Sequence, residues 1–135
     1  MAIPIAKVRG MTPAVADSMK AMGFKNSDDL LAAGRTPAGR KELAASLGMD
    51  GKDLLLLINH ADLARVTGIG EVFSNLLEEA GVDTVVELSG RRPDNLLNKM
   101  AEVNNVTKTA KRLPVIDQVE GWVAQAKELG RGIEY

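Results

Sequence analysis

The sequence predicts an all-α protein, and three observations carry the prediction. Hydrophobic residues make up 45% of the chain but aromatics only 3%, so a core must be assembled from Ala, Leu, Val, Ile and Met. Most of these favour helices. Val115, Val119, Trp122, Ala126 and Leu129 recur at spacings of 4, 3, 4 and 3, which places them on one helical stripe. No stretch alternates β-branched with polar residues, except the short run "VDTVVEL" (Val82–Leu88), which an internal repeat assigns to a helix.

The elements follow from capping chemistry. Thr12 caps a first helix that starts at Pro13, and Gly23 suits its left-handed end. Ser27 is the expected cap of the next short helix, with Asp28 and Asp29 favourable in its first turn. Thr36-Pro37 opens a third helix reaching about Leu47, and a fourth spans about Asp50 to Ile58. Asn59 is expected to cap a further helix, with Asp62 as its imperfect capping-box partner. The second half repeats the plan through "RPDNLLNKMAEVN", and the stripe from Val115 to Leu129 ends at Gly130.

The repeat is visible without gaps at an offset of 58: Val8 meets Val66, Gly10 meets Gly68, Gly23 meets Gly81 and Leu30 meets Leu88. Met11, Val15, Met19 and Phe24 fall on Ile69, Phe73, Leu77 and Val82, and both copies then reach an Arg and a Pro, in "GRTP" and "GRRP". Past the prolines the register is unclear. The chain divides into residues 1–65 and residues 66–135, the second ending in an amphipathic helix.

Length and charge bound the function. A chain of 135 residues is one compact domain or two very small ones. A net charge of −1 gives no whole-molecule attraction to nucleic acid or anionic membrane. There is no cysteine and one histidine, so no thiolate metal site or disulfide can form, and neither metal nor cofactor is expected. "MAIPIAKVRG" lacks the apolar region of a signal peptide, and the longest purely apolar run, Leu54 to Ile58, is far too short to span a membrane. The expectation is a soluble, cytoplasmic protein.

Charge is unevenly distributed. Val66 to Gly90 holds Glu71, Glu78, Glu79, Asp83 and Glu87 and no base, a balance of −5. Residues 1–25 balance +3 (Lys7, Arg9, Lys20 and Lys25 against Asp17). Residues 91–112 balance +4: Arg91, Arg92, Lys99, Lys108, Lys111 and Arg112 against Asp94 and Glu102.

Gly68-Ile69-Gly70, followed after three residues by the small Ser74 and after two more by Leu77, resembles the helix-hairpin-helix motif; Gly10-Met11-Thr12 with Ala16 and Met19 fits it more loosely. Taken in order, "INHADLARVTGIG", "LLEEAGVDTVVEL", "RRPDNL", "EVNNVTK" and "QVEGWVAQAKEL" are similar to a bacterial family of tandem helix-hairpin-helix proteins described as a domain of unknown function. The resemblance is strongest from Asn59 onward. It implies two helix-hairpin-helix repeats, a SAM-domain-like helical bundle packed into one unit, the first hairpin basic and degenerate, the second acidic.

In such hairpins, glycines open the turn and amides at the following helix N-terminus bind phosphate, without reading sequence. Carried over, the phosphate-binding candidates are Gly10, Thr12, Gly68 and Gly70 with Lys7 and Arg9; Arg91, Arg92, Lys108, Lys111 and Arg112 form a candidate basic patch. The competing reading is that the glycines only let two helices cross closely. "GRTPAGRK" superficially resembles a phosphate loop, but Arg40 stands where lysine should and no strand precedes it. His60 reads as a packing or hydrogen-bonding residue, and Trp122 as core. With no nucleophile–base or ligand cluster, an enzyme is not expected. Two non-catalytic readings remain: a protein-interaction or scaffold module, and a weak, sequence-independent binder of a DNA or RNA backbone.

Overall fold

Side-chain caps set where most of the helices begin. Thr12 accepts the Val15 N–H, Thr36 the Gly39 N–H, Asp50 the Lys52 N–H and Thr84 the Glu87 N–H. Pro13, Pro37 and Pro93 each occupy a first helical position, where a missing N–H has no consequence. A computed structural model describes residues 2–135. Among them the chain is all-helical: α1 (Pro13–Ala21), α2 (Ser27–Gly34), α3 (Pro37–Leu47), α4 (Gly51–Leu63), α5 (Glu71–Glu79), α6 (Val85–Ser89), α7 (Pro93–Thr107) and α8 (Ile116–Leu129), preceded by a single 3-10 turn, Ile5–Lys7. "VDTVVEL" accordingly contains α6 rather than a strand. No helix among the described residues is long and apolar enough to cross a membrane.

The two halves share three of their helix packings, while α2 also lies on α3 with no comparable contact between α6 and α7 among the described residues. α2 lies on α4, α3 on α4 and α1 on α3; correspondingly α6 lies on α8, α7 on α8 and α5 on α7. α1 and α5 are both nine residues long, and φ is +88° and +94° at Gly10 and Gly68, and +94° at both Gly23 and Gly81. Past the prolines, where the sequence alignment loses its register, the packing pairs α3 and α4 with α7 and α8.

Each half has its own apolar cluster. The first gathers Met19, Leu30, Leu54, Leu57, Ile58 and Ala61; the second gathers Ile69, Leu76, Leu77, Leu88, Met100, Val119 and Trp122. Neither is closed by its own half alone. Leu63, at the end of α4, belongs to the second cluster, and Ile133, beyond α8, belongs to the first. The C-terminal segment is strapped down along the way: Arg65 donates to the Gly130 carbonyl (2.7 Å), the Glu134 N–H to the Arg35 carbonyl (2.8 Å) and Arg40 to the Glu134 carbonyl (2.6 Å).

Three expectations are corrected. Asn26, not Ser27, caps α2, accepting from the Asp28 and Asp29 N–H groups. Ser27 is the first helical residue, and its buried hydroxyl accepts the Ile3 N–H instead (2.8 Å). Asn59 caps nothing. α4 continues through it to Leu63, because Ala61 and Leu63 extend the apolar run onto both clusters. Third, the α8 stripe buries Val119, Trp122 and Ala126, and Val123 beside them, but Val115 and Leu129 at its ends are exposed.

Candidate functional site

Helix α5 organises the charged residues. Its N-terminus carries the Gly68-Ile69-Gly70 turn, with Gly70 as N-cap and no side chain capping the first-turn amides. Gln125 pins this turn from α8, its side chain accepting from the Thr67 N–H (3.0 Å) and donating to the Thr67 carbonyl (3.2 Å). Gly68 backs onto Trp122: a Cβ there would sit 3.1 Å from the indole Nε1, at a φ that side chains resist. Trp122 in turn packs on Phe73, ring centroids 5.3 Å apart. The Gly68-Ile69-Gly70 turn is therefore both a close-packing device and an uncapped helix start, flanked by the exposed Glu71 and Val72.

The opposite end of α5, about 13 Å away at 1.5 Å per residue, collects the basic segments. Arg9 donates through Nη1 to the Asn75 carbonyl (2.9 Å) and to Glu79 (2.8 Å), and its Nε lies 4.0 Å from Glu78. Arg91 donates to the Gly81 carbonyl (3.1 Å) and Glu87 (3.2 Å). Thr109 donates to Glu79 from the other side, at 2.6 Å. A helix C-terminus carrying two glutamates is a natural gathering point for cations.

Burial opposes ionisation of Glu79, but the hydrogen bonds from Thr109 and Arg9 outweigh it and hold its carboxyl below the usual range. The Arg9 side chain is 39% exposed, so its ion pair with Glu79 is worth only about 0.2–1 kcal/mol.

The result is an edge on which residues 7–10 meet the loop after α7. Lys7 and Gly10 are exposed beside Arg9, and Lys108, Lys111 and Arg112 flank Thr109, all three exposed. Lys7, Lys108, Lys111 and Arg112 make no ion pair among the described residues. Not every candidate joins them. Arg92 pairs with Asp94 at the start of α7 (3.2 Å). Thr12 spends its hydroxyl on α1. Gly68 and Gly70 lie at the far end of α5.

Most acids of the Val66–Gly90 run have partners within the protein. Glu78 accepts from His60 and Glu79 from Arg9 and Thr109; Asn59 approaches Asp83 (3.4 Å) and Arg91 pairs with Glu87. His60, sealed in the last turn of α4, places Nδ1 3.0 Å from Glu78 and Nε2 2.9 Å from the Ser74 hydroxyl. Nδ1 donates to the carboxylate. Ser74, His60 and Glu78 form a chain of the kind hydrolases use, but Ser74 is 0% and His60 1% exposed, which closes the hydroxyl to any substrate.

Asp62 is not the capping-box partner expected for Asn59: both lie inside α4, and its carboxylate serves other groups. It is 1% exposed, accepts the Val85 N–H at the start of α6 (2.9 Å) and binds Arg65 (2.8 Å). Beside it Asp83, Glu87, Val86, Arg131 and Tyr135 line a cleft of about 380 Å³. Burial, with Glu87, Glu78 and Asp62 nearby, raises the Asp83 carboxyl against the pull of a backbone hydrogen bond. The acid-only run from Val66 to Gly90 signalled Asp83 and Glu87 in advance, but not that Asp62 would join them.

Neither a curated protein nor a solved structure matched this chain. A family match spans residues 9–129, covering α1 through α8 and Arg9 at the basic edge, and on that match the chain belongs to the family described as Domain of unknown function (DUF4332).

Proposed function

We propose that the chain is a tandem helix-hairpin-helix module, non-catalytic, that binds a nucleic-acid backbone weakly and without reading sequence. The repeat reading is supported by the three helix packings that α1–α4 and α5–α8 share and by the shared positive φ at Gly10 and Gly68. The observation that carries the binding reading is the meeting of Arg9 and Thr109 on Glu79, which joins two basic segments about a hundred residues apart along one edge. That edge offers Lys7, Arg9, Lys108, Lys111 and Arg112 to phosphates, with the open Gly10 turn among them. The affinity is set by a few phosphate contacts, with a dissociation constant of roughly 10⁻⁴ to 10⁻⁶ M.

The test is fluorescence anisotropy of a labelled duplex and a labelled single strand at about 50 mM salt. Lys108→Glu with Lys111→Glu should weaken binding to both. Reversal of Lys41 or Lys127, which lie on other helices, should leave it nearly unchanged. Equal effects from both pairs would mean diffuse attraction rather than an edge.

A second reading, a protein-interaction or scaffold module, is favoured by the acidic cleft beside α6. Among the described residues Asp83 has no cationic partner within ion-pair distance, which suits a lysine or arginine from a basic protein. Absence of nucleic-acid binding at low salt, with Asp83→Asn weakening capture of a lysine-rich peptide, would make it the better account.

A further inference from the structure

The Glu79 carboxylate sits where an external oxyanion would. We propose that Arg9 and Thr109 form an oxyanion cradle that Glu79 occupies in the free protein and that an incoming phosphodiester takes over. The inference rests on the backbone-binding reading above.

The geometry is that of a bound anion. One carboxylate oxygen accepts from Arg9 Nη1 at 2.8 Å, and the Thr109 hydroxyl reaches the two oxygens at 2.6 and 3.0 Å. The donors come from separate segments, the turn before α1 and the loop after α7, which meet only through Glu79 and share no hydrogen bond among the described residues. Arg9 keeps donors in reserve: its Nη2 makes no hydrogen bond among the described residues, and the side chain is 39% exposed. A guanidinium prefers two-point contact with an oxyanion and binds phosphate in the same fork as carboxylate. A phosphate can therefore engage Arg9 before Glu79 leaves. One phosphodiester carries the same single charge as the carboxylate, and it is the neighbouring phosphates of a nucleic-acid backbone that Lys108, Lys111 and Arg112 can engage in addition. Glu79 then acts as a built-in competitor that keeps the edge weakly binding.

The test is a double-mutant cycle on the full chain, with labelled duplex DNA and labelled single-stranded RNA as probes. Glu79→Gln, and separately Glu79→Ala, should tighten binding about three- to fivefold and steepen the salt dependence of duplex binding by about one phosphate contact. In an Arg9→Gln background the same substitutions should gain little, because the freed donor is gone. Loss of one negative charge alone would give equal gains in both backgrounds, and that result overturns the proposal. Wild-type binding with no response to Glu79→Gln or Glu79→Ala overturns it too, while leaving the backbone reading intact. Failure of every variant to bind sinks both. Binding by Glu79→Gln where wild type shows none supports the cradle most strongly. Thermal melts of each variant confirm that the fold is retained before binding is compared.

Discussion

Asp83 and Glu79 are pulled in opposite directions, and their contrast gives a prediction at the residue scale. Burial raises Asp83, and the carboxylates Glu87, Glu78 and Asp62 raise it further. A raised acid stabilises the fold below its unfolded pKa and loses that contribution as pH rises through the folded one. At neutral pH the Asp83 charge therefore opposes folding. Asp83→Asn should raise Tm by a few degrees at pH 7, and the gain should vanish on acidification below the usual carboxylate range. The neighbour is ready for it, since Asn59 Oδ1 is buried without a hydrogen-bond partner among the described residues and can accept from an amide. Glu79 carries the other sign. Its lowered carboxyl contributes above the unfolded pKa, and that contribution is lost as pH falls through the folded one. Glu79→Gln should accordingly lower Tm slightly at pH 7, and the two substitutions should converge on wild type in acid. A Tm at pH 7 unchanged by Asp83→Asn would contradict the account of the cleft.

Gly132 supports a second residue-scale prediction. A Cβ there would run into the buried Asp62 carboxylate, which is held by Arg65 and the Val85 N–H, and lie 2.7 Å from Arg65 Nη2. Gly132→Ala should cost about 1–3 kcal/mol in a urea melt, as overpacking does.

Much of the element scale was legible. Thr12 and Thr36 cap the helices that follow them, as expected, because a short polar side chain before a helix has one dominant use; Asp50, expected only as a helix start, caps α4 likewise. Asn59 carries the same local signal and obeys a stronger one: residues on both sides of it are buried, so the helix runs on and the amide turns to Asp83. No local pattern could decide between those outcomes. The basic edge was half legible for a similar reason. The sign asymmetry of the two copies stood in the sequence, but the meeting of Arg9 with Thr109 depends on how α5 packs against its neighbours. Gly68 and Gly70, the best motif match, lie at the other end of α5 from most of the positive charge.

α4 is the element on which both halves depend. It gives Leu54, Leu57, Ile58 and Ala61 to one cluster, Leu63 to the other, His60 to α5 and Asp62 to α6. Ile58 is fully buried and packed so tightly on Gly34 that a Cβ there would collide with it. Ile58→Ala should cost about 2–5 kcal/mol. The consequence for a shared wall is that Trp122 fluorescence, which reports the other cluster, should shift its denaturation midpoint together with circular dichroism. Separate midpoints would show two independently folding halves.

The whole molecule shows why the halves should not separate. Residues 1–65 alone lack Ile133, which closes the first cluster, and the α5 carboxylates that hold Arg9 and His60. A fragment of about 65 residues with few aromatics has a marginal core to begin with. It should be poorly folded by circular dichroism, and a cooperative melt of that fragment would refute the dependence.

Charge is also a property of the whole. A balance of −1 conceals a positive edge whose lysines make no ion pair among the described residues and an acidic run in which Glu78, Glu79 and Glu87 have partners within the protein. The salt dependence of duplex binding measures that edge most directly. Each neutralised phosphate contributes about −0.9 to the slope of log affinity against log salt, so three or four contacts give a slope near −3. The account predicts that slope for wild type and a clearly flatter one for Lys111→Glu with Arg112→Glu. No binding at about 50 mM salt by wild type or by Glu79→Gln, or a slope indifferent to those reversals, would contradict it.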